Sequence, residues 1–514
     1  MGTSRTTNSA KNSVISLLFY GILIVLTFFS RRVFIDALGA ELLGLNTTIT
    51  NLLGLLNLSE MGIATAISFT LYKPIAENDR ETIREIVSVQ GWVYFIVASI
   101  VMLGGMVMMF FIPQIFADTT LPLSYAYSTF IVFLFSSLLG YFFNYKQIMH
   151  SASQKEYKNV LIVKLLLAIK IIAQIVALQF LVLGYQSWLI LEVIFAIITT
   201  LLLRYSIKRE YSWLRVSIFE GRRLTDKYPI IFTKVKQLFF HKIGGFVLSQ
   251  ASPLVVFAFT SLSLVAIYGN YMLVLSGITT LIAASFGGIM PVIGNMIVEN
   301  DKEKERKVFG EYMVLKMLLG ASFTHCLFVG GKVFMTLWMG EDFLLPDFSF
   351  YLLLAIGYIN FTRPYDTFLV PYGLVEDIWA PVIEAGLNLG LSILLGYYFS
   401  LPGILIGILI SLIVIVLGWK GYFLATKGLE VPRFSIIARY FSYTILFVSE
   451  SICLTLLNSN FSKVFIQKVT FVTFSMMMLV HFLSFWTLSL FVLTISDVNT
   501  RNLINRVFAR LRYR

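Results

Sequence analysis

Residues 87–112, VSVQGWVYFIVASIVMLGGMVMMFFI, contain no charged side chain. A helix rising about 1.5 Å per residue needs about 20 mainly apolar residues to cross roughly 30 Å of hydrocarbon, and this run exceeds that length. In lipid every backbone N–H and C=O must be satisfied internally, which leaves helices and closed barrels. A barrel strand would alternate in short segments, whereas this run is unbroken, so it reads as a spanning helix. The rest of the chain follows suit. Of its 514 residues 58% are hydrophobic and 13% charged, with a mean hydropathy of +0.82. Soluble domains carry about 25% charged residues. The deficit is spread along the whole chain, which excludes a soluble body with one anchor.

Apolar runs broken by charged or Pro/Gly clusters give fourteen predicted spans, an all-α polytopic fold. They fall at 13–35, 44–71, 87–112, 122–145, 158–181, 185–203, 236–258, 263–293, 308–330, 348–370, 377–399, 402–424, 436–457 and 469–495. The first run is followed by Arg31-Arg32-Val33-Phe34 with no small-residue cleavage box, so it reads as a retained span. With the N terminus inside, the cytoplasmic segments hold 31 of the 40 Lys and Arg. The outer loops hold Arg31, Arg32, Lys332, Lys463 and Lys468, and Lys164, Lys170, Lys242 and Lys316 lie within spans. The positive-inside rule then places both termini in the cytoplasm. The net charge of +12 is mostly this topology signal and calls for no nucleic-acid partner. The longest outer loop is read as Gly331 to Asp347, too short for an external domain.

The chain resembles itself. Glu77-Asn78-Asp79-Arg80-Glu81 after the second span recurs as Glu299-Asn300-Asp301-Lys302-Glu303 after the eighth. The same shift lays spans one to three on seven to nine in unchanged orientation, as expected of a parallel repeat about an axis along the membrane normal. The predicted domains are a six-helix bundle at 1–203, a basic amphipathic cytoplasmic linker at 204–235 lying on the membrane face, a second six-helix bundle at 236–424, and two extra helices with a basic tail at 425–514. Two pseudo-symmetric bundles predict a cleft at their interface that opens to either side in turn.

A charge at the bilayer centre costs about 2.5–3.5 kcal/mol on insertion scales, so each intramembrane charge needs a reason. In the second span Asn46, Thr50, Asn57, Glu60, Ala64 and Ser68 recur at helical spacing on one face. Either this is a helix–helix interface or it is a cleft wall with Glu60 as an ion-coupling site. Lys170 sits mid-span with Gln174 one turn away, too deep to snorkel easily. Lys242 begins a stripe with Ser249 and Pro253, near enough to the inner end to snorkel. Arg363 and Asp366 are spaced for a local ion pair or for the cleft. Arg31 and Arg32 break the positive-inside pattern, a hint of an anionic ligand. Glu192, Glu384, Glu450, His325 and His481 are also intramembrane and receive no role, though His481 and Glu450 could pair with each other or with lipid headgroups. Gly386 with Gly390, and Gly403 with Gly407, have the small-xxx-small spacing of helix packing.

Cys326 and Cys453 lie inside apolar runs and read as small buried hydrophobes. No Walker motif, cofactor fingerprint or metal spacing occurs, so no cofactor, metal or catalytic residue is predicted.

Arg31-Arg32-Val33-Phe34-Ile35-Asp36-Ala37-Leu38-Gly39-Ala40-Glu41-Leu42-Leu43-Gly44-Leu45 resembles the first loop of Wzx-type polysaccharide flippases. Leu58-Ser59-Glu60-Met61-Gly62-Ile63-Ala64-Thr65-Ala66 and Leu71-Tyr72-Lys73-Pro74 are similar to that family's second span and the loop after it, and Leu337-Trp338-Met339-Gly340 adds a third point of likeness. The resemblance implies the multidrug/oligosaccharidyl-lipid/polysaccharide exporter superfamily. It implies a non-enzymatic transporter in the bacterial cytoplasmic membrane that flips undecaprenyl-pyrophosphate-linked oligosaccharide repeat units of O-antigen, capsule or exopolysaccharide. It further implies alternating access through a cationic cleft, with polysaccharide polymerase and chain-length machinery as partners. A pyrophosphate favours Lys or Arg in a water-filled cleft, so the expected substrate-binding residues are Lys170, Arg363, Arg31, Lys242, Asn57 and Gln174. The alternatives are a drug or cation antiporter of the same fold, a peptidoglycan-precursor flippase, and a membrane-embedded glycan polymerase or ligase.

Overall fold

A computed structural model describes residues 2–60, 62–180, 184–286, 289–299, 301–374, 377, 379–465, 470–501 and 504. The described residues form helices and connecting turns, with no strand among them. They divide into two compact units, Met1–Ala266 and Ile267–Arg514.

The first unit contains α1 (Gly2–Leu38), α2 (Ala40–Leu56), α3 (Ile63–Glu77), α4 (Arg80–Ile115), α5 (Leu123–Phe143), α6 (Glu156–Phe180), α7 (Tyr185–Glu210), the short α8 (Ile218–Leu224) and α9 (Pro229–Phe259). The helix α10 (Leu262–Phe286) begins in it and continues into the second. Within the first unit α1 packs along α6, α6 along α7, α4 against α5, and α9 against α2 and α3. Its core is aliphatic and aromatic: Phe34, Leu45, Ile49, Ile67, Val87, Val101 and Phe130 are buried together. The linker is not simply a surface segment, because α8 packs on α4 closely enough that a Cβ on Gly221 would stand 2.0 Å from the Ser88 carbonyl oxygen.

The second unit continues through α11 (Ile289–Val298), α12 (Lys302–Met339), α13 (Asp347–Thr362), α14 (Trp379–Ser411), α15 (Ser435–Phe465) and α16 (Phe471–Ser496). Here α12 packs on α13 and α16, and α15 on α16. Ser400, at φ 53 and ψ −136, turns α14 back on itself, so the eleventh and twelfth spans are the two arms of a hairpin. A Cβ on Gly403 would meet the Leu395 carbonyl oxygen at 2.0 Å, and one on Gly407 the Ser392 nitrogen at 2.5 Å, so these two glycines are the close-packing pair. Gly386 and Gly390 have nothing within 4 Å, so the packing expected of them is not found.

Ten helices among the described residues are long and apolar enough to cross a membrane. The other four predicted spans have identifiable causes: the second span is broken, the seventh has side chains described only in part, α13 is 16 residues long, and the α14 hairpin and its continuation run together as Trp379–Gly428. The ninth span runs further than its hydropathy suggested, to Met339, and shortens the loop predicted from Gly331. The surface is that of a chain solvated by lipid, with Phe110 78% and Leu457 76% exposed while Asn46, Gln90, Gln174 and Asn388 are buried. The chain is therefore an all-α multi-pass membrane protein.

The internal repeat has a local structural counterpart. Asp79 caps α4 by accepting from the Thr82 N–H at 3.0 Å, and Asp301 caps α12 by accepting from the Lys304 N–H at 3.0 Å. Each satisfies one of the orphan donors at a helix N-terminus.

Candidate functional site

The second span sets the site. It was expected to be one continuous helix, but α2 ends at Leu56, residues Asn57–Glu60 form a tighter 3-10 turn, and α3 restarts after Gly62. Gly62 has φ 88, a left-handed conformation that costs a side chain with a Cβ and suits glycine. The polar face still survives the break. Asn46, Thr50 and Asn57 line a cavity of about 680 Å³ inside the first unit, and Asn57, Glu60 and Ala64 line a second of about 500 Å³. Ser136 and Ser137 of α5 belong to both walls, so the two form one polar column within the bundle.

Four of the sequence-derived candidates meet on the larger cavity: Arg31 from α1, Asn57, Lys170 and Gln174. Lys170 is not a bare cation. Its Nζ donates to Glu192 Oε1 at 2.7 Å and Oε2 at 2.8 Å, with the two side chains 17% and 19% exposed. Two unit charges about 4 Å apart attract by about 4 kcal/mol at an effective dielectric constant near 20. That offsets much of the insertion cost of the two charges, about 2.5–3.5 kcal/mol each, and the hydrogen bonds of Gln174 and the polar cavity wall supply further solvation. Gln174 is buried and donates to the Trp188 carbonyl oxygen at 3.2 Å and to Glu192 Oε2 at 3.3 Å, which orients the carboxylate. Arg31 reaches the Ala266 carbonyl oxygen at 3.4 Å. Asn57 Oδ1 accepts from the Tyr141 hydroxyl at 2.9 Å, and Tyr185 donates to Asn46 Oδ1 at 2.5 Å.

Glu60 faces the smaller of the two cavities. Its carboxylate accepts from the Tyr94 hydroxyl at 3.0 Å, and Lys164 lies on the same wall. The residue thus belongs to the polar column, at the break in the second span.

Arg363 is elsewhere. It lies in the second unit just after α13, within salt-bridge distance of Asp366 (3.2 Å) and Glu384 (3.6 Å). Asp366 also pairs with Lys420 at 2.8 Å, and Lys316 Nζ donates to the Arg363 carbonyl oxygen at 3.0 Å. A cation at the carbonyl end of α13 satisfies an orphan acceptor and favours the helix dipole. The local ion pair of Arg363 and Asp366 is real, and it is one edge of a five-residue network. Lys242 and Ser249 lie among residues 237–249, whose side chains fall outside the described residues.

Sequence reasoning left Glu192 and Glu384 without roles. Lys170 lies ten residues before the end of α6 and Glu192 seven after the start of α7, so a depth count along this helical hairpin would have matched them. Of the two alternatives for His481 and Glu450, the pairing with each other is not found. His481 faces His325 (3.4 Å), which also meets Ser451 (2.8 Å), while Glu450 accepts from Ser489.

Near the basic-loop end of the first unit Glu210 gathers Lys155, Lys158 and His150, closing the loop before α6 onto the end of α7. The hydrogen bond to Glu210 raises the Lys155 ammonium above its ordinary value despite partial burial.

No protein-family model matches the chain, and no curated protein matches it in sequence. Solved structures do share its fold. "Lipid II flippase MurJ, inward closed conformation" aligns at 14% identity with a TM-score of 0.65, covering 96% of this chain and 99% of that one. An inward-facing multidrug resistance MATE family transporter of the MOP superfamily aligns at 14% identity and TM-score 0.56, covering 79% of this chain and 97% of that one. An outward-facing MATE family transporter of the same superfamily gives 13% and 0.51, over 81% and 95%. At such identities the likeness is one of fold, and this chain has the polytopic helical fold of MurJ and the MATE transporters.

Proposed function

We propose that this chain is a flippase of the multidrug/oligosaccharidyl-lipid/polysaccharide exporter superfamily. Its substrate would be an undecaprenyl-pyrophosphate-linked oligosaccharide repeat unit, moved by alternating access across a bacterial cytoplasmic membrane for O-antigen, capsule or exopolysaccharide synthesis. Both termini would lie in the cytoplasm. One observation carries the reading: Arg31, Lys170, Asn57 and Gln174, on three different helical segments, converge on one polar cavity of about 680 Å³ inside the first unit. A diphosphate needs positive groups and hydrogen-bond donors in a site of reduced dielectric constant. The cavity supplies an ammonium, a guanidinium, amides and hydroxyls.

The solved fold likeness supports a lipid-linked substrate over a drug. The alignment to a lipid flippase spans 96% of this chain, whereas those to MATE transporters stop at about four-fifths. An organic cation would also prefer acids and aromatics; this cavity has Phe34, Phe133 and Trp188, but its one acid, Glu192, is already taken by Lys170, and Arg31 adds a second cation. Arg363, held by two carboxylates, serves the second unit's packing in this reading. Glu60, at the break of the second span, is the candidate for ion coupling.

The test is complementation of flippase-null strains carrying several repeat-unit clusters. Wild type should restore surface polysaccharide in at least one, and Lys170→Ala, expressed at equal level, should restore less than about a tenth, as expected when a charge-assisted contact to phosphate is removed. Wild-type polysaccharide from both Lys170→Ala and Arg31→Ala would reject the proposal.

A further inference from the structure

The Lys170–Glu192 pair carries a consequence for how an anion is admitted. Both Glu192 oxygens lie within 2.8 Å of the Lys170 ammonium, and both residues line the cavity wall. A carboxylate in that position fills the coordination that a phosphate oxygen would take, with the same charge sign and the same acceptor geometry. From this we infer that Glu192 is an internal stand-in for the substrate's phosphate, released from Lys170 and protonated when a diphosphate takes its place. The inference rests on the proposed anion-binding role of this cavity and identifies how that site is regulated.

The physical reason is a shortage of positive charge. Facing Glu192 are Lys170 on α6 and, on the same cavity, Arg31 on α1. The polar cavity groups from α2, the 3-10 turn after it and α5 are the amides of Asn46, Asn51 and Asn57 and the hydroxyls of Thr47, Thr50, Ser136 and Ser137, none of which titrates near neutral pH. Tyr185 on α7 is spent on Asn46. A diphosphate on Lys170 would leave the Glu192 carboxylate without its cation in a site of low dielectric constant, where the charged form is disfavoured. Proton uptake from water restores the balance: the ammonium keeps its three protons and exchanges one anion for another, while the displaced carboxylate becomes a carboxylic acid. Gln174 stays on Glu192 through either state, since the acid's carbonyl oxygen still accepts its N–H. Release of the substrate reverses the step, so Lys170 is re-occupied and the proton leaves. Anion binding and proton binding are then one event at Glu192, distinct from any role of Glu60 on the smaller cavity.

The experiment uses the purified full-length protein in nanodiscs, with farnesyl diphosphate as the probe, by titration calorimetry at about pH 6 and about pH 8 in buffers of differing ionisation enthalpy. Wild type should take up close to one proton per diphosphate at the higher pH and bind more tightly at the lower. Glu192→Gln should bind more tightly than wild type at the higher pH, by about tenfold or more, because it has no carboxylate to displace from Lys170, and should take up no proton. Unchanged affinity and unchanged proton uptake in Glu192→Gln would overturn the inference, as would binding by wild type with no proton uptake, a measurement that needs no variant. Lys170→Gln separates the two levels. If it loses the probe while Glu192→Gln behaves as wild type, the anion site stands and the stand-in role falls; if it binds as wild type does, the reading of the cavity itself falls.

Discussion

The two units hold intramembrane cations in different ways. In the first, Lys170 has one acid, Glu192, on an adjacent helix and on the wall of a cavity. In the second, Arg363 is fixed by Asp366 and Glu384, Asp366 by Lys420, and the Arg363 carbonyl by Lys316. A pair on a cavity wall can change partners with little else moving. A network that joins α12, the end of α13, the α14 hairpin and the segment after it cannot, because each charge satisfies several others. Under the proposed function the same residue types form a working site in one unit and a clamp in the other.

The largest expected effect tests that contrast directly. Arg363→Ala leaves Glu384, whose side chain is 4% exposed against 19% for Glu192 on its cavity wall, without its cation, while Asp366 keeps Lys420; an uncompensated buried charge costs ~3–5 kcal/mol. The melting temperature of the purified protein should fall by several degrees, and Glu384→Gln in the same chain should recover part of it. Lys170→Ala should lower the melting temperature less while abolishing complementation. If Lys170→Ala proves the more destabilising of the two, the division between site and clamp breaks.

Next in size is the break in the second span. Gly62→Ala forces a Cβ into a left-handed backbone at φ 88 and should cost ~1 kcal/mol or somewhat more. Complementation should fall with it if the break shapes the cavity. No change in either measurement would show that the restart of α3 relaxes freely.

The repeat gives a sharper and smaller comparison. Asp301→Ala removes the cap of α12 and should cost about 1 kcal/mol; Asp79→Ala should lower the melting temperature in the same direction. Opposite responses would show that the equivalence of the two segments is one of letters alone.

The smallest effect concerns pH. Glu41 is raised by partial burial, yet hydrogen bonds from Thr120 and Thr119 outweigh this and hold its carboxyl below the usual carboxylate range. A lowered folded value means the tie from α2 to the loop before α5 is fully present above the ordinary carboxylate value and is lost as pH falls through the folded one. Thermal stability should therefore decline slightly on acidification, and Glu41→Gln should flatten that decline.

Much of this was legible in the chain itself. Hydropathy is a local sum, so every predicted span has a helix at its place, and the polar face of Asn46, Thr50, Asn57 and Glu60 is set by spacing alone. Its course through a broken helix was not legible, because whether Gly62 adopts a left-handed conformation depends on what packs around it. Lys170, Gln174 and Arg31 could be singled out because a buried polar group in lipid needs a reason wherever it stands.

The amino-acid sequence by itself determined that this chain crosses the membrane many times, and which polar side chains it carries into the hydrocarbon. Only the tertiary structure decided which acid answers which cation. That choice turns Lys170 from a bare charge into half of a pair and assigns Arg363 to a network. The physical reason is range: burial follows from neighbours along the chain, whereas charge pairing depends on separations of a few ångströms between helices that the chain order does not state.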